Sequence, residues 1–206
     1  MNTEILKNIS YGVYVISTND ETKSTGCIAN SVIQVTQDTI AISINHNNYT
    51  NECIKKSKKF AISILDENIE DNIIPTFGFQ SGREINKFEN IEKVNFDNLD
   101  VIKNSIGYLT CTLIDSLETS THTIFLGKII NGDILNNNKN PMTYAYYHKV
   151  KKGLSPKNAP TYIEPKNETG YKCSICGYLY VGDITKENND FVCPICKQNK
   201  NVIIKV

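Results

Sequence analysis

Four cysteines near the end of the chain are the residues best equipped for chemistry. Cys173 and Cys176 stand in YKCSICGYLY (171–180), and Cys193 and Cys196 stand in FVCPICKQNK (191–200). Two Cys-x-x-Cys hooks turn four thiolates toward one point, a tetrahedral sulfur site that suits zinc or a single iron. Gly177 after the first hook lets the backbone take positive φ, so that N–H groups can aim at sulfur. Tyr171, Tyr178, Tyr180 and Phe191 bracket the hooks and can pack a shell that keeps water from the metal. Cys27, Cys53 and Cys111 are scattered singly. An odd total with two hooks reads as metal binding plus free thiols rather than a disulfide framework.

Two other stretches could hold an anion. GCIANSVIQVT (26–36) and INHNNYT (44–50) put small and amide-bearing residues at a strand end, then a polar turn before a helix. Exposed N–H groups at a helix start, with Asn47 and Thr50, suit a phosphate. FGFQSGREINKF (77–88) sets Gly78 and Gly82 beside Lys87 and Arg83, the chain's only arginine. A guanidinium beside flexible backbone can clamp an anion. Taken singly, each stretch also reads as an ordinary turn or a solvated basic loop. His148, inside an aromatic segment, reads as structural, and Cys27 as a small apolar filler.

The elements that must position these residues are mostly strands. Residues 11–18, 28–35, 39–45, 60–66, 107–116 and 122–130 are β-branched and aromatic with partial alternation. Helices are expected through NECIKKS, starting near Asn48 or Thr50, and around 68–74, ending before Pro75. Six or more short strands with few helices predict a closed antiparallel barrel, since closure removes exposed edges. From about residue 136 the chain turns polar. A short aromatic segment, TYAYYHKV, is followed by a linker with three prolines. The expected division is a barrel over 1–150, a linker over 151–170 and a metal domain over 171–206. The linker could span at most about 65 Å at about 3.3 Å per residue.

Composition excludes several classes. Lys+Arg and Asp+Glu are 22 each, so no net field favours nucleic acid or an anionic membrane. No apolar run approaches the ~18 residues of a membrane span, and the first residues carry no signal pattern, so a cytoplasmic location is expected. No Gly-x-Gly-x-x-Gly occurs, which removes a Rossmann dinucleotide site. No Glu-x-x-His occurs, which removes a di-iron helical bundle.

The hook sequences Y-x-C-x-x-C-G-Y-x-Y and F-V-C-P-x-C resemble rubredoxin over residues 171–200, which implies one iron per chain. Residues 177–192 are fewer than rubredoxins usually have between the hooks. Lys197 also stands where a second glycine is usual, straining that hook by about 1 kcal/mol. Zinc ribbons share the cysteine spacing and would make the tail a structural clip. GVYVIST, ANSVIQVT, IN-x-NN-x-T, FGFQSGR-x-x-x-KF and THTIFLGK together resemble the flavin reductase-like split barrel over residues 5–165. Barrel and tail in this order resemble the high-molecular-weight rubredoxins of anaerobic bacteria. The resemblance therefore implies a mainly β chain, an FMN-binding split barrel followed by a small rubredoxin-like domain, paired as a homodimer with one FMN per subunit. By position it implies Asn30, Ser31, Gln34 and Thr36 along the flavin ring, and His46, Asn47 and Thr50 at the phosphate. Ser81, Gly82, Arg83 and Lys87 would close the site. His46 replaces a lysine often found there and weakens the attraction for phosphate. Flavin reductases of this class often carry Gly-Asp-His where this chain has Ser120-Thr121-His122. His122 is thus the candidate catalytic residue toward NAD(P)H, but it lacks the aspartate, and the alternative is a strand-end histidine bonded to backbone.

The expected function follows from joining the two sites. Flavin takes two electrons as a hydride, whereas an iron–thiolate centre carries one, so a tethered pair converts two-electron to one-electron chemistry. The expected donor is NAD(P)H or a separate reductase, and the resemblance implies a flavodiiron-type oxygen or nitric oxide reductase as one acceptor. The alternatives are an NAD(P)H:flavin reductase that releases reduced flavin, and a zinc-ribbon-bearing binding protein.

Overall fold

Alternating side-chain direction along β1 (Tyr14–Asn19), buried at all four central residues, sets the two-sided architecture. Ile16 enters one core and Val15 the other, the period-two consequence of a strand buried on both faces. The computed structural model describes residues 3–151, 153, 170–180 and 182–206. Its large sheet also contains β2 (Ser24–Ala29), β3 (Val32–Gln34), β4 (Thr39–Asn45) and β5 (Lys59–Ile64). A hairpin, β6 (Lys93–Phe96) and β7 (Leu99–Ile102), is a separate sheet that packs on it through Leu99 and Val101. The long strands β8 (Gly107–Glu118) and β9 (His122–Ile134) complete the large sheet. The order is β2-β1-β5-β8-β9-β4-β3, with every pairing antiparallel.

The barrel is split, as the family resemblance implies, rather than fully closed as the strand count alone suggests. Its two edge strands, β2 and β3, are consecutive in the chain yet form no ladder with each other. At Asn30–Ser31 the chain passes from one edge to the other instead of folding back as a hairpin. The Ser31 carbonyl accepts instead from Ser43 N–H of β4, at 3.1 Å.

Inside the sheet, Ile16, Ile42, Ile44, Phe60, Ile62 and Phe125 pack with Cys27 and Cys111. A Cβ on Gly127 would lie 2.4 Å from the Phe60 ring, so glycine there is what lets β9 approach. The outer core joins Val15, Leu65 and Met142 to the helices α2 (Ile73–Phe79) and α3 (Tyr144–Lys149). α3 occupies the aromatic segment, and the Thr143 hydroxyl caps it by accepting from Tyr146 N–H at 3.1 Å.

The expected helix in NECIKKS is α1 (Tyr49–Ser57). The helix expected over 68–74 begins instead at Ile73 and contains Pro75. Pro75 falls in the first turn, where backbone N–H groups have no intrahelical acceptor and a missing one costs nothing. The β6–β7 hairpin was not anticipated. Its turn, Asp97–Asn98, has positive φ at both residues, the geometry that matches strand twist.

The C-terminal segment forms a second small sheet from β10 (Tyr171–Cys173), β11 (Leu179–Tyr180) and β12 (Ile203–Lys205). The expected linker lies outside the described residues except for 151, 153 and 170. Among the described residues no helix is long and apolar enough to cross a membrane.

Candidate functional site

The four hook cysteines converge. All four are buried and their sulfurs lie within 4.8 Å of one another. Cys173 and Cys196 Sγ are 3.6 Å apart, as are Cys176 and Cys193 Sγ. Those separations are far beyond the ~2.05 Å of a disulfide. They match the roughly 3.8 Å that a tetrahedron with ~2.3 Å metal–sulfur bonds requires, so the residues fit a metal ion.

The two hooks repeat one local geometry. Cys173 N–H donates to Tyr178 O and Gly177 N–H to Cys173 O; Cys193 N–H donates to Gln198 O and Lys197 N–H to Cys193 O. Backbone N–H groups of Cys176 and Tyr178 reach sulfur in the first hook, and those of Cys196 and Gln198 in the second. Four thiols this close share their protons, and the backbone N–H groups aimed at sulfur favour the thiolate form that a metal requires. Gly177 has φ 80° and Lys197 φ 58°. Both hooks therefore demand left-handed backbone, and the second obtains it from a residue with a Cβ.

The barrel candidates come from four separate stretches, and the structure gathers most of them. Asn30 and Ser31 sit at the seam, with the Ser31 hydroxyl donating to Asn30 Oδ1 at 3.1 Å. Asn47 N–H donates to Asn45 Oδ1 and shapes the turn into α1. Asn48 provides no side-chain cap for α1; its own N–H donates to Asn45 O and that of Asn51 to Asn48 O, so the Tyr49 and Thr50 N–H groups are the ones that face an anion. Thr50 is buried and its hydroxyl bonds to the Cys27 thiol, whose pKa burial pushes up.

The 81–87 loop packs on the same end. A Cβ on Gly82 would fall 2.1 Å from Thr25 Oγ1 and 3.2 Å from the Tyr49 ring, so a glycine is needed to seat the loop on β2 and α1. Ser81 Oγ accepts from Arg83 N–H at 3.2 Å. The Arg83 guanidinium pairs with Glu52 and lies 4.7 Å from the Tyr49 ring centroid. Lys87 is buried, and Nζ donates to Gly26 O at 2.8 Å and Phe77 O at 3.2 Å. Burial pulls its pKa down to about 8.

Gln34 and Thr36 stand away from this group. Gln34 pairs with Ile40 and Thr36 bonds to Asp38, at the start of β4, whereas His46 follows its end. Seven strand residues separate these ends by roughly 20 Å.

His46 and His122 meet at the β4–β9 end, where Asn45 pairs with His122. His46 N–H donates to Thr121 O at 2.9 Å. Its Nε2 lies 2.9 Å from Glu118 Oε2 but out of line for a hydrogen bond. His122 Nδ1 is 2.8 Å from Thr121 Oγ1. Burial, with His46 as a second cause, lowers the His122 pKa. His148 Nδ1 lies 2.8 Å from Gly153 O, and its ring makes edge contacts with Tyr144 and Tyr147.

Sequence reasoning missed Glu118, Asn51 and Thr25. Glu118 also pairs with Lys55 at 2.7 Å and accepts from Thr123. Asn51 Nδ2 ties Ile44 O to Thr123 Oγ1 and so fixes α1 against β4 and β9. The Thr25 hydroxyl is buried without a partner beneath Gly82. A long hairpin facing two histidines was the available signal for Glu118, but only strand register says which carboxylate reaches them.

A split barrel with these converging loops, followed by a buried four-thiol site, defines a flavin reductase-like chain with a rubredoxin-like appendage. The profile of the family described as "Flavin reductase like domain" matches residues 6–155, and the chain belongs to that family. Over its whole length it is 36% identical to the high molecular weight rubredoxin of Moorella thermoacetica, with both chains fully covered. It is 31% identical to a ferric-chelate reductase (NAD(P)H) of Archaeoglobus fulgidus, over 81% of this chain and all of that one. Solved structures agree on the barrel fold. An NADH:FAD oxidoreductase of Streptomyces globisporus superposes with TM-score 0.61 at 19% identity, over 68% of this chain and 84% of that one. An FMN-binding protein of Thermus thermophilus gives 0.56 at 15% identity, over 62% and 73%.

Proposed function

We propose that this protein is a cytoplasmic electron-transfer flavoprotein that passes electrons from NAD(P)H or a reductase, through FMN on the barrel, to one rubredoxin-type iron. The observation that carries the reading is a buried tetrahedron of thiols in the same chain as a flavin reductase-like barrel. The full-length similarity to a high molecular weight rubredoxin supports it. FMN would supply hydride acceptance, and each hydride would leave two electrons for two one-electron iron centres and one proton for solvent.

The chain's own residues would bind and orient. The α1 N-terminus with Asn47 would hold the phosphate, and Arg83 would exchange Glu52 for it. Asn30 and Ser31 at the seam, with Gln34 and Thr36 along the edge strand, would line the ring. Thr50 and Lys87, both buried, would position rather than clamp, fixing α1 and the 81–87 loop to β2. His46 would add to the phosphate end beside Asn47, and His122 is the candidate contact for a nicotinamide, which must reach the flavin ring to deliver hydride. The domain limits we assign are 1–150, 151–170 and 171–206.

A homodimer is supported by Ile114, Leu117, Ile130 and Ile134, all more than half exposed on β8 and β9. The proposed acceptor is a redox partner of the flavodiiron type.

An absorption spectrum of freshly purified protein, before and after anaerobic NADH, tests this reading. Overlapping flavin and ferric-thiolate bands that bleach with NADH are expected. Bleaching by dithionite alone would assign the donor role to a separate reductase. A yellow protein holding only zinc, after growth on excess iron, would overturn the electron-transfer reading.

A further inference from the structure

We infer that the metal-binding segment seats on its own barrel at Phe79, which holds the four-cysteine site against the loop that closes the proposed flavin site. The inference rests on the flavin reading above and adds the contact through which the two sites communicate. In α2, Ile73 and Phe77 lie one turn apart and enter the barrel's outer core with Phe88. Phe79 does not join them. It packs against the cluster of Cys173, Cys176, Cys193 and Cys196 with their surrounding aromatic residues, and among the described residues it is the one barrel side chain there. Two residues later the chain reaches Ser81, the first of the candidates that close the flavin site.

A single ring is a small contact, and the tether makes it sufficient by raising the local concentration. The seat can therefore be left and regained. Ile175 and Val192, beside the cysteines, stay 39% and 45% exposed and give an external acceptor a face that docking does not use.

The test uses the full chain with flavin and iron bound. With p-benzoylphenylalanine in place of Phe79, irradiation should give a cross-link at monomer mass that maps to residues 171–206. A cross-link only between chains, or none into that segment, would overturn the inference. A second variant, Phe79→Asp, should keep wild-type iron and flavin content but slow reduction of the iron by prereduced flavin at least tenfold in stopped flow. An unchanged rate would also overturn it. The cross-link needs no electron transfer, so the two readings fail separately. A cross-link in protein that holds no flavin leaves the docking and removes the proposed function. Normal flavin and iron with no cross-link does the reverse.

Discussion

The metal segment and the barrel solve the same problem, the placing of a few groups within ångströms, in opposite ways. In the metal segment each hook is a local turn, closed by hydrogen bonds between residues four or five apart. The candidate barrel site draws Asn30, Asn47, Gly82 and Lys87 from three separate stretches, and each is held by a different neighbour. Local geometry is robust to what surrounds it. Dispersed geometry depends on strand register, close approach at Gly82 and one buried ammonium.

Removing a ligand should give the largest effect and would break the comparison most directly. Cys193→Ser should abolish metal retention and unfold residues 171–206, since a metal site of this kind contributes on the order of 10 kcal/mol to folding. Barrel unfolding and flavin content should stay at wild-type values. Metal analysis and calorimetry check both, and loss of flavin would mean the two regions are not separable units.

Lys87 tests the dispersed site. Its folded pKa of about 8 is below the ordinary lysine value of 10.5. Between those values the unfolded chain binds more protons, so stability should rise with pH across that window, by about 3 kcal/mol. Below pH 8 the cost of the buried charge is fully present. Lys87→Met should flatten the rise, as urea titrations at pH 7.5, 9 and 10.5 would reveal. Identical slopes in the two proteins would mean the ammonium is not buried in solution.

The smallest effect sharpens the local side. Lys197→Gly should stabilise the loaded metal segment by about 1 kcal/mol, because the second hook needs left-handed backbone. Gly177→Ala should destabilise it by a similar amount. Thermal melts followed at the metal–thiolate band measure both.

Legibility in the sequence followed the same division. Cys-x-x-Cys spacing, Gly177 and the flanking aromatic residues announced the metal site, and Lys197 announced the strain that its φ displays. Strand stretches such as 39–45 were readable from alternation, and NECIKKS from its helical pattern. Pro75 was misread as a helix terminator, because propensity says that proline ends a helix while only position in the first turn excuses it. The β6–β7 hairpin was passed over because Asp97–Asn98 lacks the glycine that usually marks such a turn.

What the sequence determined by itself was therefore what chain neighbours can do for one another: the hooks, most of the strands and the start of α1. Tertiary structure alone decided that the barrel splits at Asn30–Ser31 and that Lys87 is buried under its loop. It also decided that Glu118 meets His46 and that Phe79 faces the cysteines rather than the barrel core. These depend on which strand edges pair and how closely layers approach, and such long-range packing leaves no periodic trace among neighbouring residues.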